Sequence, residues 1–312
     1  MEKEKSAAKK RLIIFTSLTI VIAWFVFMLI PICGLTYGKG TVPILILAGA
    51  MFVPALSSIL TRLITKEGFH NMYLRPRFKG HAKYYLFSYF APTLLIILSA
   101  AVYFLIFPGL FDPQFSTIKQ AAEASGKTAA NAELVIFAQS LEILIIGPIV
   151  NIIPTLGEEL GWRGYLLPKL RMFFSDRAAL VITGAIWGVW HAPIIAMGHN
   201  YGTKYLGYPW LGIFAMIVFC VALGIVEGYI TIKVGSAIPA AMIHSAVNAG
   251  AGFPIYMIKG GYNTLLGPAI TGLVGGLPLI MLAVILFIKA GNKTSKIDVQ
   301  GIAQELSLDA NR

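Results

Sequence analysis

The stretch GEELGWRGYLL, residues 157–167, sets two adjacent carboxylates and a guanidinium inside a chain that otherwise avoids charge. Glu159 and Arg163 are four residues apart, so on a helix they share a face and can form an ion pair. Glu158, one residue earlier, points about 100° away. Further along, WGVWHAP carries His191, and IHSAVN carries His244 and Asn248, again one helical turn apart. Peptide hydrolysis needs an activated water, a stabilised oxyanion and a proton for the leaving amine. Glu158 and His191 can hold the water between them, with the carboxylate as general base. His244 and Asn248, on one face, can donate to the oxyanion, and Glu159 with Arg163 can orient the first acid.

Other chemistries use the same residue types. Glu158, His191 and His244 are all good zinc ligands, so a three-helix zinc site is a physical alternative, although no H-E-x-x-H places two histidines on one helix. No G-x-S-x-G occurs. Cys33 and Cys220 form no C-x-x-C, lie away from the motifs in sequence and read as small buried hydrophobes. Each polar residue also has a plainer reading. The acids can simply close a span at the interface, and a lone intramembrane histidine is often glue between helices.

These residues need elements to carry them, and composition says which. The chain is 57% hydrophobic and only 12% charged, about half the charge of a soluble domain, with a mean hydropathy of +0.76. We therefore expect an all-α polytopic membrane protein, a single domain over 1–312 with the chemistry-bearing motifs in 150–250. Apolar runs of roughly 20 residues mark spanning helices. They lie near 12–32, 41–64, 84–107, 134–156, 178–198, 209–230, 237–256 and 268–289. The first follows MEKEKSAAKKRL but lacks a small-residue cleavage site, and LIPIC is a poor lipobox, so it is expected to be a retained anchor. Between the third and fourth runs, FDPQFSTIKQAAEASGKTAANAE has the content of a short surface helix. The acids reach the bilayer if the fourth helix continues past Arg163 to about Pro168, with a kink at Pro154. Gly184 with Gly188 and Gly272 with Gly276 are small-x-x-x-small pairs that permit close helix approach.

The excess of 25 Lys and Arg over 14 Asp and Glu suits cytoplasmic loops rather than nucleic acid, for which no binding pattern is present. With eight spans, 20 of the basic residues fall on the side shared by both tails and 5 on the other. The positive-inside rule then puts both termini in the cytoplasm of a multi-pass cell-membrane protein. Ionisable groups inside spans are costly and usually face a cavity or a partner. Besides the motif residues, Glu142 and Glu227 are of this kind.

The order Glu158-Glu159-x-x-x-Arg163, then Trp187-x-x-x-His191, then His244-x-x-x-Asn248 resembles the CPBP family of intramembrane glutamic endopeptidases, the CAAX-protease and bacteriocin-processing family. WRGYLLPKL after the acids also fits, whereas Trp187 stands where the prenyl-protein proteases commonly have Phe. The resemblance implies metal-free hydrolysis with no cofactor, a water activated by Glu158 and His191, and an oxyanion held by His244 and Asn248. It also implies a membrane-associated or lipidated peptide as substrate, in contact with membrane lipid. Two further classes compete with this reading. A secondary transporter would use buried acids and histidines to bind a proton or ion, but no internal repeat is visible. A relative without proteolysis would serve as an immunity or scaffold protein. The sequence does not indicate oligomeric state.

Overall fold

The computed structural model describes residues 2–124, 126 and 129–291. Lys127 and most basic residues of the C-terminal tail, which entered the charge count, lie outside them. The protein is an all-α polytopic membrane protein, and no named strand occurs among the described residues. Among the described residues, four helical stretches are long and apolar enough to cross a bilayer: Lys3–Ile32, Val42–Ile64, Ala82–Ile106 and Trp210–Val234. They correspond to the first, second, third and sixth expected spans.

The first is α1, Glu2–Ile32. It buries Phe15, Ala23, Phe27 and Ile30 and exposes Val21, Phe25 and Ile32, apolar on both sides as a lipid-facing helix must be. The second comprises α2, Val42–Ala50, and α3, Val53–Ile64, each opened by a proline in its first turn, where the missing N–H costs nothing. α4 is Ala82–Ile106. The polar stretch that follows does carry a short helix, α5, Ser116–Ala124, before α6, Ala129–Leu141.

The fourth span is interrupted where the sequence reads as one helix. After α6 come a π turn at Glu142–Ile146, α7 at Gly147–Val150, and α8 at Ile152–Gly161. The break falls at Asn151, not at Pro154, which occupies the first turn of α8 and so removes no needed donor. The freed Asn151 N–H donates to Ser245 Oγ at 3.0 Å, and Ser245 Oγ donates to the Gly147 carbonyl at 2.7 Å. Beyond the acids the helix does continue, through a second π turn at Trp162–Leu166 into α9, Leu167–Leu170. Near its end, Glu67 accepts from Tyr165 at 2.7 Å, pairs with Lys169, and lies 3.4 Å from Arg11. That cluster ties α1 and the segment after α3 to α9.

α10, Asp176–Trp190, starts at Ser175, whose Oγ accepts from the Ala178 N–H, a side-chain N-cap. α11, Ala192–Ile195, follows directly. α12, Trp210–Val234, ends at Gly235 in the left-handed region, the usual glycine stop. α10 and α12 make the most extensive helix–helix contact among the described residues. A Cβ on Gly184 would lie 2.6 Å from Val221 Cα, and one on Gly188 2.5 Å from Ile217 Cα. This glycine pair works as expected.

The other pair does not. α13 is Ile238–Gly250, and the last helix, α14, spans Leu277–Lys289, not 268–289. Gly272 and Gly276 lie in the turns before it. A Cβ on Gly272 would come 2.4 Å from Gly267 Cα, and one on Gly276 2.6 Å from the Gly272 carbonyl oxygen. Glycines at this density favour a folded-back turn over a helix.

Candidate active site

α8, α10, α12 and α13 converge on a buried polar cluster. α8 reaches it because Gly157 and Gly161 let it press on the start of α3. A Cβ on Gly161 would sit 2.3 Å from Pro54 Cβ, and one on Gly157 2.9 Å from the Phe52 ring. This third small-x-x-x-small pair flanks the acids, and its four-residue spacing stands in the sequence. A π turn begins at Trp162, three residues after Glu159; such insertions are frequent at functional sites.

The two adjacent glutamates have different surroundings. Glu158, 2% exposed, accepts on Oε2 from Trp187 Nε1 at 2.8 Å and from Trp162 Nε1 at 3.3 Å. Both partners are neutral. Glu159, fully buried, accepts on Oε1 from Arg163 Nη1 at 2.9 Å and from His244 Nδ1 at 2.9 Å. The i, i+4 ion pair expected from the sequence is therefore present, and it extends to α13.

His191 sits where α10 gives way to α11 and is buried. Its Nδ1 lies 2.9 Å from the Trp187 carbonyl. A carbonyl only accepts, so Nδ1 carries the proton and a neutral ring keeps its lone pair on Nε2. Trp187 thus links the two groups expected to hold a water: its indole donates to Glu158, and its carbonyl orients His191. Its ring meets the His244 ring at a centroid distance of 5.1 Å and lies under the Arg163 guanidinium at 4.5 Å. Sequence reasoning noted Trp187 as a departure from a motif and missed its N–H. Trp162 and Trp190 close the cluster against Phe15 and Phe27 of α1.

Asn248 lies one turn beyond His244 on α13 and is exposed, unlike the rest of the set. Glu142 is exposed in the first π turn, outside the cluster. Glu227 is inside it: fully buried, with Oε2 2.5 Å from Arg163 Nη2. Cys220 is buried as expected, but its Sγ is 3.8 Å from His191 Nδ1, and Cys33 is exposed. Distance from the motifs in sequence was no guide to distance in space.

Among the described residues, one group offers metal-ligand atoms all within 4.8 Å of one another: Glu159, Glu227 and His244. It differs from the zinc set weighed from sequence, since neither Glu158 nor His191 is a member. Arg163 is already bound to both carboxylates of this group. A divalent cation there would face a guanidinium at contact distance, so the group is poorly suited to a metal.

Residues 140–250 match the family model described as Type II CAAX prenyl endopeptidase Rce1-like. The CAAX prenyl protease 2 of Methanococcus maripaludis is 41% identical over 44 residues, which make up 14% of this chain and 16% of that protein. The match thus spans about a sixth of that relative's length. Residues 140–250 hold every residue of the polar cluster. Over residues 140–250 this chain is thus similar to the Rce1-like CAAX prenyl endopeptidases.

Proposed function

We propose that the protein is an intramembrane endopeptidase in which Glu158 activates water against a peptide bond of a membrane-associated or lipidated peptide. The observation that carries this is the division between the adjacent acids. Glu159 is committed to a guanidinium and an imidazole, while Glu158 is held only by neutral indole donors on one oxygen. Two neighbouring carboxylates in unlike environments are the pattern of an acid–base site.

In this reading Glu158 Oε1 takes a proton from a water whose other hydrogen is accepted by His191 Nε2. The water oxygen bonds to the scissile carbonyl carbon, and the carbonyl electron pair moves onto its oxygen. His244 Nε2–H and the Asn248 amide donate to that oxyanion. As it collapses, the C–N bond breaks and the proton on Glu158 passes to the leaving nitrogen, freeing a carboxylic acid and an amine. Glu159 and Arg163 keep the His244 ring in place. No cofactor or metal enters these steps. The exposure of Asn248 beside buried His244 supports substrate entry along α13. The charge asymmetry of the loops supports a cell-membrane location with both termini cytoplasmic. The name of the Methanococcus maripaludis relative makes prenylated Cys-aliphatic-aliphatic-X tails the first substrate class to try.

The test uses purified protein in detergent with a farnesylated peptide of that type and a library of unprenylated hydrophobic peptides, with and without a strong chelator. Cleavage unaffected by chelator is expected. Cleavage that chelator abolishes and one metal restores would overturn the metal-free mechanism. No cleavage of any peptide would favour an immunity or scaffold role.

A further inference from the structure

Glu227 belongs to none of the sequence motifs, yet it ends a continuous chain of polar groups. Its Oε2 is 2.5 Å from Arg163 Nη2; Arg163 Nη1 donates to Glu159 Oε1 at 2.9 Å; that same Oε1 accepts from His244 Nδ1 at 2.9 Å. The chain runs from α12 through the helix of the acids to α13. Space for it is built in. Gly224, one turn before Glu227 on α12, would carry a Cβ only 3.2 Å from Arg163 Nη2, so a larger residue there would crowd the guanidinium.

The two ends of the guanidinium are held differently. Oε2 of Glu159 is buried with no hydrogen-bond partner, although a planar guanidinium ordinarily takes both oxygens of a carboxylate. Here Glu227 draws Nη2 electrostatically, in a 2.5 Å ion-pair contact that is not a hydrogen bond, while Nη1 alone bonds Glu159 Oε1. Without that pull, Arg163 can turn to grip both oxygens of Glu159. It would then compete for the Oε1 lone pairs that hold His244 Nδ1. We infer that Glu227 is a positioning residue for the peptidase site: it restrains Arg163 so that Glu159 fixes the His244 ring, and with it the Nε2–H that meets the oxyanion. The inference rests on the proposed roles of Glu158 and His244, and Glu227 itself touches no substrate.

The experiment compares kcat, KM and thermal stability of the parent, Glu227→Gln, Glu227→Leu and Glu158→Gln, on the farnesylated peptide in detergent. Misplacing an oxyanion donor by about an ångström can cost about 10²-fold. Glu227→Leu is expected to lower kcat by about 10- to 100-fold with KM within about twofold of the parent. Glu227→Gln keeps an oxygen facing Arg163 and should recover part of the loss. Should Glu227→Leu fail to fold, Glu227→Ala takes its place: a kcat equal to the parent in whichever of the two folds, with Glu158→Gln inactive, overturns the inference. A fall in melting temperature with kcat and KM unchanged also overturns it, since that is structure only. If instead Glu158→Gln is as active as the parent, the proposed function fails, and that outcome is separate.

Discussion

Replacing Trp187 by Phe tests whether an indole N–H, and not merely an aromatic ring, organises the site. The change keeps most of the apolar volume between His191 and His244 but deletes the 2.8 Å bond to Glu158 Oε2. A hydrogen bond to a charged group contributes about 1.5–3 kcal/mol. Trp162 Nε1 remains at 3.3 Å, a longer bond that replaces it only in part. If the bond orients Glu158 in the transition state, kcat/KM on the farnesylated peptide should fall about 10- to 150-fold. Phe also weakens the stacking with Arg163, a cation–π contact that favours Trp, so a small drop in melting temperature should accompany the loss. Trp162→Phe removes the longer bond and should cost less. A Trp187→Phe protein that cleaves as fast as the parent, or a larger loss from Trp162→Phe, would refute the role given to the indole.

Three other changes have defined outcomes. Gly184→Leu drives a side chain into Val221 backbone 2.6 Å away, so the protein should lose at least about 1–3 kcal/mol, read as a lower melting temperature in detergent. Asn248→Ala removes one proposed oxyanion donor from an exposed position, so turnover should fall about 10²–10³-fold with the melting temperature kept. Glu67→Gln should make stability less sensitive to acid. Burial raises the Glu67 carboxyl, but bonds from Lys169 and Tyr165 outweigh it and hold it below the usual range. A depressed carboxylate stabilises above its unfolded pKa, about 4.3, and that stability is lost as pH falls through the folded value. The parent should therefore melt higher than Glu67→Gln at pH 7, and the gap should close as pH drops below 4.

The sequence exposed what depends on short spacing. The Glu159–Arg163 pair, the continuation of the helix beyond it, and the glycine contact of α10 with α12 all follow from a four-residue period. What joins separate helices was not readable. The bond from Glu159 to His244 spans 85 residues, and the ion pair of Arg163 with Glu227 depends on how α12 is rotated. An acid inside a 25-residue apolar helix was the available sign that Glu227 has a buried partner, but nothing in its neighbourhood named that partner. The interruptions at Asn151 and before Leu277 were hidden because hydropathy averages over a window. The hydroxyl of Ser245 and a knot of glycines satisfy those breaks, and neither lowers mean hydropathy enough to show.

The most direct measurement is the turnover of Glu158→Gln beside its melting temperature. The amide keeps the shape and can still accept from both indoles, but it cannot take a proton from water. Loss of about 10²-fold or more in cleavage at an unchanged melting temperature is the expected result. Cleavage at the parent rate by a well-folded Glu158→Gln protein would contradict glutamate-activated hydrolysis at this site.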